Sequence, residues 1–182
     1  MLSPTRIHHL RLALLIFALC ATPFAAQARQ QSDSTAAPVP PAIYSAKKIF
    51  VSNVGADSGL FPHPFSGSQD RVYNQFYAAM QQWGRYQLVN DPVEADLVFE
   101  VRLSGPLGPA NPDKQKGASD PLPIFYLTIV DRKSHYILWT LTESVSLAFL
   151  QKTHDKNFDD ALGALVADVK SLSASAKAGG GR

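Results

Sequence analysis

DLVFEVRLS, residues Asp96–Ser104, alternates without a break. In an extended chain Leu97, Phe99, Val101 and Leu103 fall on one side, and Val98, Glu100 and Arg102 on the other. One apolar side and one mixed side predict a strand in a sheet that is covered on a single face.

Two further segments continue the pattern toward the C-terminus. Ile124–Val130 and Tyr136–Leu147 read as a hairpin joined by the short polar link Asp131-Arg132-Lys133-Ser134-His135. Phe125, Leu127 and Ile129 share its inward face, with Tyr126 and Thr128 outward. In the partner strand Ile137, Trp139 and Leu141 are expected inward, and Leu138 and Thr140 outward. Strict counting also puts Glu143 inward, so either the strand outruns the core there or a bulge resets its phase.

Toward the N-terminus, KKIFVSNV (47–54) reads as a strand rich in branched and aromatic residues. A helix over 69–83 follows, with Val72, Phe76, Ala79, Met80 and Trp83 in one stripe. Ser66 or Ser68 caps its start, and Gly84 closes its end. Tyr86–Val89 is a short strand, and Asp91-Pro92-Val93-Glu94-Ala95 a turn. The last element is a helix over 158–172, with Asn157 as its cap and Asp159 and Asp160 at the positive end of its dipole. Its stripe is Phe158, Ala161, Leu162, Leu165, Val166, Val169 and Leu172.

The order is β-α-β-β-β-β-α. Each helix has one apolar stripe and each strand one apolar face. The predicted fold class is α/β of an α+β-like kind: a two-layer body, with both helices on one face of a mixed sheet. The first strand, helix and second strand make a crossover, and the last three strands a meander.

The ends differ from this body. Residues 1–28 carry Arg6 and Arg11, the apolar run Leu12–Ala21, and then Ala26-Gln27-Ala28. That is the pattern of a signal peptide cleaved after Ala28, and its apolar run is too short to cross a bilayer. Export to the periplasm or medium follows, with membrane contact only through an uncleaved leader. Cys20 is the only cysteine. Leu19 is bulky where a lipobox needs a small residue, so Cys20 reads as a hydrophobe of the leader. Its removal takes disulfides and thiol chemistry with it.

The leader holds two of the 17 basic side chains and none of the 15 acidic ones, so the remaining charges balance. No clustered Lys and Arg offer a nucleic-acid surface. Residues 29–46 are polar and rich in Pro, Ala and Ser, and read as a disordered tether. Residues 173–182 read as a flexible tail. Between them, 47–172 form one domain interrupted by a flexible proline-rich insertion at 105–123.

KKIFVSNV (47–54), WGRYQLV (83–89), EADLVFEVRL (94–103), FYLTIVDRKSHYILWTLTES (125–144) and the final apolar helix together resemble a group of bacterial envelope modules. These include the amino-terminal domain of TolB, the CsgG-type lipoproteins and the outer-membrane activators of peptidoglycan synthesis. The pattern is also similar to that of small exported bacterial proteins with the same layout. The resemblance covers most of 47–172 and implies a periplasmic binding or assembly module without catalysis. The chain departs from these families in its poor lipobox and in the 105–123 insertion.

Three places are candidate surfaces. GLFPHPFSG (59–67) holds Phe61, His63 and Phe65 between prolines, either as a stiff partner loop or as a cover for the helix end. His63 with Asp57 and Asp70 lacks the ligand spacing that metal sites favour, so no metal or cofactor is expected. The 105–123 segment is a flap, a partner-binding strap, or simple disorder. The outward sheet face, with Val98, Glu100, Arg102, Tyr126, Thr128, Leu138 and Thr140, is either a surface for an envelope protein partner or self-association, or an ordinary solvated sheet face. The serines lack a G-x-S-x-G context, and His135 sits in a turn with Asp131. The rival reading is a small-ligand carrier or hydrolase-like enzyme with a pocket under 105–123, and His63, Asp57 and Tyr126 as its working groups.

Overall fold

The computed structural model describes residues 37–110 and 119–174. The reading of 1–28 as a leader, most of the tether, residues 111–118 of the insertion and the end of the tail lie outside the described residues.

A short helix α1 (Pro41–Ser45) precedes strand β1 (Lys48–Ala56) and helix α2 (Arg71–Trp83). Strands β2 (Gln87–Leu88), β3 (Leu97–Ser104), β4 (Leu107–Ala110), β5 (Ser119–Pro121), β6 (Ile124–Asp131) and β7 (Ile137–Ser144) follow, and helix α3 (Gln151–Ala174) closes the fold. Five strands form one mixed sheet in the order β2-β1-β3-β6-β7. β1 runs parallel to both β2 and β3, and β3, β6 and β7 form an antiparallel meander. The helices pack on one face, as the alternation in β3 requires. Leu97, Phe99, Val101 and Leu103 are all buried, and so are Phe125, Leu127 and Ile129 across from them.

α2 keeps its predicted stripe, but it starts at Arg71 with Asp70 at the cap position and no side-chain cap bond, so neither Ser66 nor Ser68 caps it. Val72, Phe76 and Met80 are buried, with Ala79 and Trp83 packed beside them. Gly84 ends the helix at φ +67°, its N–H donating to Met80 O at 3.2 Å. A side chain there would meet the left-handed region that glycine enters freely.

The structure corrects the sequence reading in four places. Residues 39–46 are not all tether. Ile43 is wholly buried, and Arg85 donates to Tyr44 O at 2.6 Å, while Tyr86 Oη donates to Ile43 O at 2.9 Å. Composition pointed to disorder, but one buried isoleucine and two side chains holding the carbonyls of Ile43 and Tyr44 anchor the turn. Second, α3 begins at Gln151, so Asn157 is no cap; its Nδ2 donates to Ser146 O at 2.8 Å. Asp159 faces Arg71 and Asp160 pairs with Lys156 instead of serving a helix end. Third, α3 runs on to Ala174, and Ser173, placed in the tail by composition, is buried with its hydroxyl 2.9 Å from Tyr86 Oη. Fourth, the 105–123 insertion is not wholly irregular, because β4 and β5 pair as a small antiparallel ladder at its base.

One strand also turns out of phase. Ile129 faces Trp139, but Val130 faces Ile137, so a bulge falls at Leu138. It flips Ile137 from the expected inward side to 66% exposure. Glu143 is unaffected and stands opposite Phe125, on the helix side.

Candidate functional site

The 59–67 loop divides its residues between core and solvent. Phe65 and Leu60 are buried, and Phe61 packs against the core. The rings of Phe61, Phe65 and Phe125 all gather on Phe158 of α3, with centroids 5.0 to 6.2 Å away. The loop is then stapled to α3 from outside. Ser66 N–H donates to Asp155 Oδ1 at 2.9 Å, and Gln151 Nε2 donates to Pro64 O at 2.7 Å. His63 is exposed, with Nδ1 3.2 Å from Gln151 Oε1. Phe65 is buried and Phe61 partly so over the helix, and of the three sequence candidates here only His63 is fully exposed.

The staple is centred on Arg71. Its guanidinium donates to Asp155 at 2.6 Å and Asp159 at 2.7 Å, and lies 4.2 Å from the Phe158 ring centre. Burial alone raises the Asp155 carboxyl, but hydrogen bonds from Ser66 N–H, Arg71 and Gln151 together outweigh it and hold the group well below the usual carboxylate range.

Asp57 and Asp70 do not assemble around His63. Asp57 Oδ2 accepts from Gly105 N–H and from the Ser104 hydroxyl, both at 2.8 Å. The Gly105 bond, then that of Ser104, lowers its pKa. Asp57 thus ties down the start of the 105–123 segment. A Cβ at Gly105 would sit 2.8 Å from Leu60 Cδ2, so the buried Leu60 side chain would have to shift to admit one. Asp70 Oδ1 accepts from Asn53 Nδ2 at 3.0 Å. In the hairpin turn, Asp131 accepts from the hydroxyl and then the N–H of Ser134, which lower its pKa, and the His135 N–H closes onto its carbonyl. Each of these acids has a local structural duty.

The outward face of the sheet is a different surface. The pairing aligns three rows across β1, β3, β6 and β7. Phe50, Val98, Val130 and Ile137 form an apolar row. Ser52, Glu100, Thr128 and Thr140 form the next, and Arg102, Tyr126 and Thr142 the third. None of these eleven side chains is buried. Arg102 and Tyr126 are direct cross-strand partners, as the sequence reading places them, and line a depression of about 410 Å³ with Glu100, Thr128, Val54 and Pro106. Arg102 lies 3.4 Å from Asp57, with both side chains close to half exposed, so its charge stays available. The sequence reading missed Phe50, Val130 and Ile137. The alternation of Ile49 and Val51 around Phe50 was a usable signal; the bulge that turns Ile137 outward left none.

A second concavity adjoins the returning strand of the 105–123 segment. It holds about 940 Å³ between Leu122, Ile124, Val145, Leu147, Phe149 and His154. Leu122 is 50% exposed and Phe149 fully so. The rival reading expects a pocket under this segment worked by His63, Asp57 and Tyr126, but none of these three lines the groove.

At the β7–α3 seam Glu143 meets Asp168. Burial first, and then the hydrogen bond to the Asp168 carboxylate, raise the Glu143 pKa.

No protein-family model matches the chain, and no curated protein matches it. Several solved structures trace a similar backbone. A Xanthomonas campestris protein of family model DUF330 is 11% identical, with 72% of this chain and 86% of that one covered at a TM-score of 0.44. Uncharacterized lipoprotein B from Nitrosomonas europaea is 11% identical, with 74% and 86% covered at 0.39. A minor lipoprotein from Acinetobacter baumannii is 15% identical, with 75% and 94% covered at 0.34. Among the described residues, no helix is long and apolar enough to cross a membrane.

Proposed function

We propose that the protein is an exported, non-catalytic binding or assembly module of the bacterial cell envelope, and that it takes its protein partner on the outward sheet face. One observation carries this reading. The face opposite the helices bears an apolar row, Phe50-Val98-Val130-Ile137, beside a charged and aromatic patch at Glu100, Arg102 and Tyr126. Apolar ground flanked by an aromatic and an arginine is the composition that protein interfaces favour at their centres. Export is supported by the leader pattern of residues 1–28, and the envelope setting by the resemblance of 47–172 to periplasmic modules.

The test is in-cell photocrosslinking of the exported protein. A photoreactive residue at Thr128 should give a discrete adduct with an envelope protein, and one at the exposed Gln82 of α2 should not. The double change Arg102→Glu, Tyr126→Ala should abolish the Thr128 adduct while the circular dichroism spectrum stays unchanged. Equal adducts from both positions, or none from Thr128, would remove the basis for the reading.

The groove beside Leu122 and Phe149 favours a second reading, a carrier of a small apolar ligand. Titration with a fluorescent fatty acid distinguishes it: saturable binding that Leu122→Glu removes supports the carrier, and absence of binding rejects it.

A further inference from the structure

The two edges of the five-stranded sheet are unlike. At one, β2 has two paired residues and the chain turns away through Asp91-Pro92. At the other, β7 runs for eight residues and, among the described residues, pairs only with β6. Val145 N–H donates to Pro123 O at 2.8 Å, which fixes the phase of that pairing. In an antiparallel ladder alternate residues turn their backbone groups to opposite sides. Trp139, Leu141 and Glu143 therefore address β6, while Thr140, Thr142 and Ser144 turn their N–H and C=O groups to the open edge. All three of the latter are exposed.

Edges of this kind are normally blunted by lysine, proline, shortness or a bulge. From Ile137 to Thr142 this edge carries no charge and no proline, and its one device is the bulge at Leu138.

We propose that β7 pairs antiparallel with β7 of a second copy, about a two-fold axis at Thr140. The register follows from the side chains on the helix side. Centred on Thr140, the ladder sets Trp139 of each copy against Leu141 of the other, two apolar pairs that are only half-buried in the single chain. Centred on Leu141 it sets Trp139 against Glu143, and centred on Thr142 it sets Leu141 against Glu143. Of these three registers, only the one centred on Thr140 keeps the carboxylate off the apolar side chains at the axis. Thr140 then stands opposite itself and exchanges two backbone hydrogen bonds.

The unlike edges also fix the size of the assembly. Pairing uses both β7 edges, and β2 offers too little ladder to continue, so growth stops at two copies. The outward faces of the two copies join into one ten-stranded surface. The dimer does not rest on the outward-face partner proposed above, and either stands without the other.

The ladder is short, so its area falls below the roughly 800 Å² per partner of a stable interface. Sedimentation of the full chain with Cys20→Ser, from about 10 µM to about 1 mM, should show a monomer–dimer equilibrium with nothing larger. Thr142→Lys should shift it at least tenfold toward monomer. Thr140→Cys should form a disulfide-linked dimer under mild oxidation, because hydrogen-bonded antiparallel pairs lie about 5.5 Å apart between Cα atoms. Thr142→Cys should stay reduced. Monomer at every concentration, species beyond dimer, equal crosslinking at the two positions, or a dimer lost on Phe149→Ser but kept in Thr142→Lys would each overturn the proposal.

Discussion

Replacing Arg71 with alanine removes the centre of the staple between α2 and α3, and the structure sets the size of the loss. The Arg71 side chain is 15% exposed and that of Asp155 22%, while Asp159 is 55% exposed. Breaking a fully buried pair costs about 3–5 kcal/mol, and a surface pair contributes about 0–1 kcal/mol. The Asp155 pair lies toward the buried end and the Asp159 pair at the surface end. Stacking on the fully buried Phe158 ring adds about 1 kcal/mol. Asp155 keeps its bonds to Ser66 and Gln151, which softens the loss. Together these give about 2–4 kcal/mol at neutral pH, or a fall in Tm of roughly 3–4 °C per kcal/mol for a domain of this size.

The effect has a pH signature. The folded Asp155 pKa lies below its unfolded value of 3.8, so its stabilisation is complete above pH 3.8 and fades as pH falls toward the folded pKa. Urea unfolding of wild type and Arg71→Ala at pH 7 and at about pH 2.5 should therefore give a smaller difference at the acid end. Arg71→Lys should fall between the two at neutral pH, since a single ammonium cannot fork to both aspartates. A loss under about 1 kcal/mol at pH 7, or a difference that does not shrink in acid, refutes the account.

Three other changes test the remaining assignments. Phe65→Ala should cost about 3–5 kcal/mol in urea unfolding, because it opens a cavity against Phe158, whereas His63→Ala should cost under about 0.5 kcal/mol. Equal costs would return the 59–67 loop to the surface. Ile43→Ala should cost about 2–4 kcal/mol by the same assay, although composition assigns this residue to a tether; a neutral change would restore the tether reading. Asp57→Ala should lower the hydrogen-exchange protection factor of the Gly105 amide at least tenfold with only about 1 kcal/mol of global loss, and the wild-type protection factor should fall as acid protonates Asp57.

The sequence by itself determined the body of this protein. Alternation in 97–103 and 125–129 and the stripes at Val72-Phe76-Met80 and Phe158–Leu172 decide which side of each element is buried. Those patterns are local, and they suffice because each element has one apolar side and a two-layer stack is the only arrangement that buries all of them. What surrounds the body depended on partners far along the chain. Ile43 is core because Tyr86 holds its carbonyl and Arg85 those of Tyr44 and Ala46. Asp155 and Asp159 belong to Arg71 more than 80 residues away. Ile137 faces outward because a bulge at Leu138 takes up one residue. Phe61 and Phe65 turn inward because Phe158 of α3 stands where they meet. The outward face follows the same division: Arg102 and Tyr126 were legible from alternation, but their alignment into rows with Phe50 and Ile137 came from strand register. Register, bulges and long-range ion pairs are set by contacts between segments, and no window along the sequence contains both sides of such a contact.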